Sequence, residues 1–360
     1  MLTQLGAGTR WPCPDYRAYT SGIGNALETP LRLAVRLLIA LCLLASPGLL
    51  VSPAGAAEPV PGLIYAVGQK FDKSFNEGAF AGAERFKAAT GTPYLEFQPQ
   101  STAQFEQAVQ ALIRRGATDV VAIGFYYATP LAALAPKHPT VRFTIVDAVV
   151  EAANVRSVTF KEQEGSFLAG VLAALASKTG TVGFVGALDI PLIRKFIAGY
   201  GQGAKHARAD AQVLVNFVGT TPAAFNDPTT GAEIARSQFQ RGADVVFAGA
   251  GVSNFGVFSA AHDDGRLAIG VDSNQNHLYP GTMLTSMLKR TDRAVEQAFQ
   301  AGRDGRWTPG VVALGLAEGG VDVAVDEHNR PLLTPAMLEA VEAARRAIID
   351  GRLRVEGGAP

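Results

Sequence analysis

Four places in this sequence carry groups that could hold a small ligand. The run Phe71-Asp72-Lys73-Ser74-Phe75-Asn76 sets aromatic rings beside a carboxylate, a hydroxyl and an amide. Asp147 follows the apolar stretch Phe143-Thr144-Ile145-Val146, and Asp272-Ser273-Asn274-Gln275 follows Ala268-Ile269-Gly270-Val271. Lys289 closes the apolar run that begins at Met283. Aromatic faces with carboxylates suit a flat ring bearing vicinal hydroxyls. A stacked ring pair adds about 0.5–1.5 kcal/mol beyond area burial, and a carboxylate accepts hydroxyl protons in charge-assisted bonds stronger than neutral ones. Each residue also has a plainer use. Asp72 or Ser74 can cap the following helix, Phe75 can be core, Asp147 and Asp272 can form turns, and Lys289 can be solvated.

Catalytic patterns are scarce. The five histidines, at 138, 206, 262, 277 and 328, form no pair at i, i+4 spacing and no H-E-x-x-H string. No G-x-S-x-G elbow and no G-x-x-x-x-G-K-[ST] phosphate loop is present. Gly249-Ala250-Gly251 imitates the start of a dinucleotide fingerprint, but Asn254 stands where its third glycine belongs. Hydrolysis would need a positioned water and an acid/base group of tuned pKa, and no cluster of acids suggests one. The sequence therefore reads as a binding protein and not an enzyme, with no cofactor and no metal site.

The elements that must position these groups alternate in type. Strands are expected over 62–67, 94–97, 120–123 and 143–146, with helices over 74–89 and 102–115 between them. The pattern then restarts, with strands over 182–185, 213–217, 245–248 and 268–271 and a helix over 191–208. Strands alternating with helices imply βαβ units and parallel sheets, because parallel neighbours need a crossover. A local echo suggests duplication: Arg115-Gly116-Ala117-Thr118-Asp119-Val120-Val121 against Arg241-Gly242-Ala243-Asp244-Val245-Val246. The expected fold class is α/β, with two Rossmann-like lobes joined by a hinge. Ligands of open parallel sheets sit beyond the carboxyl ends of the strands, so facing lobes make a cleft that closes on a small molecule.

Composition narrows the partners. The chain has 360 residues, 32 Lys+Arg against 32 Asp+Glu, 48% hydrophobic and 18% charged residues. That is globular and too apolar for a disordered chain. Its neutrality argues against nucleic acid, which needs a basic excess. Residues 1–56 read as an N-terminal extension and a secretory signal: Arg32 and Arg36 precede the apolar run 37–45, Pro47-Gly48 breaks it, and Ala54-Gly55-Ala56 supplies an A-x-A cleavage site. The run is too short to span a membrane, which takes about 20 apolar residues. Cys42 invites a lipoprotein reading, but Leu41 precedes it inside the apolar run, so a soluble periplasmic product is expected. Cleavage would remove Cys13 and Cys42, the chain's two cysteines, and with them any disulfide or thiolate-bound metal.

With these strings on the page, the sequence resembles the basic membrane protein (BMP) family of PnrA-like, ABC-transporter substrate-binding proteins. The resemblance is carried by the strings 70–77 around Phe71-Asp72-Lys73-Ser74-Phe75-Asn76, 160–167 around Glu162-Gln163-Glu164-Gly165, and 182–194. It continues through Thr220-Thr221-Pro222-Ala223-Ala224-Phe225-Asn226-Asp227-Pro228, Gly270-Val271-Asp272-Ser273-Asn274-Gln275 and 284–290. It implies a type I periplasmic-binding-protein fold that captures a nucleoside-like ligand and delivers it, as a monomer, to an ABC-transporter permease. The implied lobes are 58–158 with 290–312 and 159–289 with 313–335, followed by a C-terminal helix and tail over 336–360. By the same resemblance Phe75 and Phe225 stack on a base from opposite lobes and Asn76 lies beside it. Asp147, Asp272 and Lys289 hold ribose hydroxyls; beside these, Asp72, Tyr126, Gly251 and Asn254 of this chain are expected to line the site.

The chain departs from the family pattern on the cleft side. Ala66 stands where the family has an Asp, Gln69 where it has a Gly, and Tyr126-Tyr127 where it has a small polar stretch. Its glycine-rich turn is Gly251-Val252-Ser253-Asn254-Phe255-Gly256, with side chains at two positions where backbone would approach a ligand. A non-nucleoside ligand, or a sensor that docks on a receptor without transport, are the alternative readings.

Overall fold

The computed structural model describes residues 58–358, so the expected extension and signal peptide lie outside the described residues. The chain builds two six-stranded sheets. The first contains β1 (Pro61–Ile64), β2 (Leu95–Phe97), β3 (Asp119–Ile123), β4 (Arg142–Val146), β5 (Val155–Phe160) and, from far along the chain, β11 (Gly310–Leu314). Its order is β11-β5-β4-β3-β1-β2, and every neighbouring pair is parallel. The second contains β6 (Thr181–Gly186), β7 (Gln212–Phe217), β8 (Val245–Gly249), β9 (Leu267–Asp272), β10 (Met283–Lys289) and β12 (Val321–Val323), ordered β12-β10-β9-β8-β6-β7. Only β12 runs antiparallel to its neighbour. Without its outermost added strand, each sheet has the 2-1-3-4-5 order of a doubly wound fold. The orders make β4 and β9 counterparts, as are β1 and β6, and β3 and β8.

Helices cover both faces, which is why β1, β3 and β8 are buried along their whole length. The first sheet carries α1 (Phe75–Thr90), α2 (Phe105–Arg114), α3 (Ala128–Leu134) and, packed on α1, α8 (Thr291–Arg303). The second carries α4 (Glu162–Ala176), α5 (Pro191–Ala207), α6 (Pro228–Gln240), α7 (Asn254–Asp263) and α9 (Pro335–Ile349), which packs on α4. Helix α4 is apolar nearly all round and is correspondingly buried. It meets α5 so closely that a Cβ on Gly170 would stand 2.1 Å from the Tyr200 carbonyl oxygen. Among the described residues no helix is long and apolar enough to cross a membrane.

The Arg-Gly echo is a repeated helix end. Gly116 and Gly242 take φ of 95° and 98°. The next residues, Ala117 and Ala243, donate back to Leu112 O and Gln238 O, each at 3.0 Å. This closes the last turn in the same way twice and turns the chain into β3 and β8. The chain passes between the sheets three times: from β5 into α4, from β10 into α8, and from β11 into β12. These three crossings are the chain connections between the two lobes.

Candidate functional site

The carboxyl ends of the two sheets face each other across a cleft of about 660 Å³, within the range of small-molecule sites. It is lined from one side by the loops after β1, β3 and β4, and from the other by the start of α5, the 222–226 turn and the ends of β8, β9 and β10. Nine of the ten residues expected at a site line it: Asp72, Phe75, Asn76, Tyr126, Asp147, Phe225, Gly251, Asp272 and Lys289.

Asp147 and Asp272 sit at counterpart positions, after β4 and at the end of β9. Both are in the left-handed region, with φ of 74° and 67°. That conformation is uncommon for a side-chain-bearing residue and least costly for Asp and Asn. Its occurrence at both matched strand ends points to a functional constraint. Lys289 is the hub between them. Its Nζ lies 2.7 Å from Asp147 Oδ2 and 3.0 Å from Glu162 Oε1, with side-chain exposures of 2%, 5% and 0% for the three groups. Rings of Phe75, Phe160 and Phe196 surround the ammonium at 5.1–5.6 Å, adding cation–π attraction. Glu162 also meets Lys195 Nζ at 3.3 Å. Asp272 Oδ2 accepts from Ser74 Oγ at 2.6 Å, a bond between lobes.

Burial governs the ionisation of these groups. It raises the Asp147 carboxyl to about 6 against the opposing pull of Lys289, with Glu162 adding to the rise. It raises Asp272 to about 6 as well, opposed by Lys289 and the Ser74 hydroxyl. Burial alone would depress the Lys289 ammonium, but Asp147, Glu162 and Asp272 together hold it above the ordinary lysine value. Asp147 Oδ1 is buried and has no hydrogen-bond partner among the described residues. A hydroxyl donor from a ligand would satisfy it.

The other expected residues divide by what their polar atoms already do. Asp72 reaches the wall, yet its oxygens accept from the backbone N–H groups of Ser74, Asn76 and Glu77 at 2.9–3.1 Å. It is the cap of α1, while Ser74, the other candidate cap, bridges to Asp272 instead. Asn76 Oδ1 accepts from Ala66 N at 2.9 Å, and its amide donates to Ala66 O and Gln69 O. Asn76 therefore shapes the β1–α1 loop: both protons of its amide are used, and its Oδ1 already accepts one bond. The expectation for Asn254 is corrected. It does not line the cleft; it is fully buried at the start of α7, and its Oδ1 accepts from Ala250 N at 2.7 Å. That bond ties down the turn after β8, work that an additional glycine could not do. Gly251 has φ of 60°, and a Cβ there would stand 3.0 Å from the Phe225 carbonyl oxygen, so the glycine lets this turn pack beneath Phe225.

Glu162 and Phe196 were not singled out in the sequence. Glu162 lies in the 160–167 string at the first residue of α4, where a carboxylate suits the helix dipole, but no spacing rule connects it to Lys289. At the mouth, Phe125 from the first lobe packs against a cluster of the second that includes Leu188, Ala224 and Ala250. The lobes are thus in contact above the cleft. Three lining carboxylates against one lining ammonium make the interior acidic, which favours a neutral ligand rich in hydroxyl donors over an anion. Among the described residues no group of three or more His, Cys, Asp and Glu side chains could hold a metal ion.

Two doubly wound lobes, three crossings and a cleft at the strand ends are the type I periplasmic-binding fold. The family described as ABC transporter substrate-binding protein PnrA-like matches residues 62–355. The chain belongs to this family. The ABC transporter nucleoside-binding protein BmpA of Lactococcus lactis is 32% identical over 307 residues, 79% of this chain and 85% of that protein. An uncharacterized lipoprotein of Pyrococcus abyssi is 34% identical over 271 residues, 72% of this chain and 67% of that protein. A solved ABC-transporter solute-binding protein from Aeropyrum pernix matches with a TM-score of 0.76 at 28% identity, over 84% of this chain and 94% of that one.

Proposed function

We propose that this protein is the exported binding component of an ABC importer, and that its cargo is a purine nucleoside or a closely related small polar ligand. The observation that carries the reading is the Asp147–Lys289–Asp272 constellation at counterpart strand ends. A free buried acceptor, a second carboxylate and an ammonium there match the hydroxyls of a ribose. Phe75 and Phe225 supply faces for a ring, and the name of the Lactococcus relative supports the same class. Closure of the lobes over the ligand would present the closed form to a permease, with ATP hydrolysed by a separate subunit. The protein works outside the cytoplasmic membrane, delivered there by the signal sequence expected in residues 1–56. The acidic interior predicts that a nucleoside 5′-monophosphate binds more weakly than its nucleoside. The test is native mass spectrometry of purified protein with denaturing release of whatever co-purifies, followed by a thermal-shift panel of nucleosides, monophosphates, bases and sugars. A nucleoside bound or selected supports the reading. A different compound keeps the transport role and overturns the cargo.

A further inference from the structure

On the first lobe, two buried or part-buried cleft-lining groups each have a polar atom with no hydrogen-bond partner among the described residues. Asp147 Oδ1 is one. The other is the phenolic proton of Tyr126. The Tyr126 oxygen accepts the backbone N–H of Val67 at 2.6 Å, and among the described residues no acceptor meets its own O–H. A phenol has one proton to donate, so here that proton is left over on a cleft-lining, part-buried group. Burial further raises the pKa of this hydroxyl, keeping it protonated.

The position of the ring is enforced. Gly124, with φ of 119°, lets the ring lie back against the backbone; a Cβ there would stand 3.0 Å from Tyr126 Cζ. Phe125 packs its edge on the Tyr126 ring at 5.1 Å between centroids, and Tyr127 does the same from beneath at 4.7 Å. The polar groups around it are engaged. Asp72 caps α1, Asn76 is held by Ala66 and Gln69, and Ala66 contributes a methyl group. Gln69, Gln98, Gln100, Ser101 and Thr102 also line the cleft but are exposed, so among its buried and part-buried groups the first lobe offers a ligand one acceptor, Asp147 Oδ1, and one fixed donor, Tyr126 O–H.

We propose that Tyr126 sets ring specificity: its hydroxyl donates to a hydrogen-bond acceptor on the ligand's ring, a carbonyl oxygen or an unprotonated ring nitrogen. A ligand presenting N–H or C–H at that point leaves the phenol unpaired and is discriminated against. This rests on the nucleoside reading of the site.

The test is Tyr126→Phe, which keeps the ring and its aromatic contacts, confirmed as folded by circular dichroism. Dissociation constants are measured by calorimetry for adenosine and inosine, and for analogues that each lack one ring acceptor: the 1-deaza, 3-deaza and 7-deaza nucleosides and purine riboside. Tyr126→Phe also removes the acceptor of Val67 N–H, and that structural effect would weaken every ligand by the same factor. The proposal expects a further selective loss of about three- to tenfold for a parent nucleoside. It also expects one analogue that wild type already binds more weakly and for which Tyr126→Phe adds nothing selective. An equal loss across the whole set, or no loss, overturns the proposal and leaves the nucleoside reading standing. If wild type binds no compound of the set, both fail together. A Gly124→Ala variant gives a second reading: it displaces the ring without removing the hydroxyl and should reproduce the selective loss.

Discussion

Among the described residues, replacing Lys289 by Met removes the only cation paired with Asp147 and one of two beside Glu162. Exposed ion pairs contribute about 0–1 kcal/mol. This pair is of another kind, because its ammonium and carboxylates have side-chain exposures of 2%, 5% and 0% at separations of 2.7 and 3.0 Å. Breaking such a pair leaves buried charge uncompensated, at about 3–5 kcal/mol. Lys195, at 3.3 Å from Glu162, covers that carboxylate in part, so Asp147 is the group left exposed to the full penalty. The loss should therefore be about 3–5 kcal/mol at pH 7.5, read as a drop in the urea midpoint. Its pH dependence has a definite sign. Asp147 already stands near 6 in the folded protein, above its unfolded value, and loss of the ammonium raises it further. Between that value and about 4 the folded state holds a proton that the unfolded state lacks, so stability rises as pH falls. The penalty at pH 5 should accordingly be much smaller than at pH 7.5. The double variant Lys289→Met with Asp147→Asn should recover most of the loss. A penalty below about 1 kcal/mol at pH 7.5, or one equal at both pH values, would refute the buried-hub reasoning.

Other outcomes follow from the same geometry. Asp272→Asn should weaken a riboside by about tenfold or more, the worth of a hydrogen bond to a charged group, and its 2′-deoxyriboside much less; equal losses would remove Asp272 from the sugar contact. Riboside affinity should fall as pH drops from 7.5 to 5, by up to about tenfold for each of Asp147 and Asp272, because hydroxyl donors bind the ionised carboxylates whose values lie near 6. Calorimetry across that range checks it, and a flat profile would mean that neither carboxylate accepts from the ligand. Phe75→Ala should weaken binding by about 1–4 kcal/mol with the melting temperature nearly unchanged; unchanged affinity would reassign Phe75 to the wall of the Lys289 pocket alone.

Much of the fold is legible in local pattern. The period-2 and period-3.6 runs over 62–146 and 182–271 identify β1 to β4, β6 to β9 and the helices α1, α2 and α5, because those segments bury apolar faces at regular intervals. The strands β5, β11 and β12 carry weaker signals. Arg156 and Thr159 interrupt the apolar pattern of β5, and β11 is an exposed edge strand that follows its partner by some 150 residues. Asp72 and Asn76 show the same limit at the site. Their side-chain types suit a ligand equally well, and only the loop's closing on its own N–H groups assigns them to structure.

The sequence by itself determined which residues stand at strand ends, since a parallel α/β pattern puts Asp147, Asp272 and Lys289 there whatever the packing. It also carried the family, through strings spread along the chain. Tertiary structure alone decided which of these groups meet. The Lys289 contact with Asp147 spans 142 residues and the Ser74 bond to Asp272 spans 198, and no local periodicity encodes a contact made only when two lobes close. The direction of the Tyr126 hydroxyl and the turning inward of Asn254 belong to the same class. Which polar atom is left free depends on what its neighbours have already satisfied, and that accounting exists only in the folded chain.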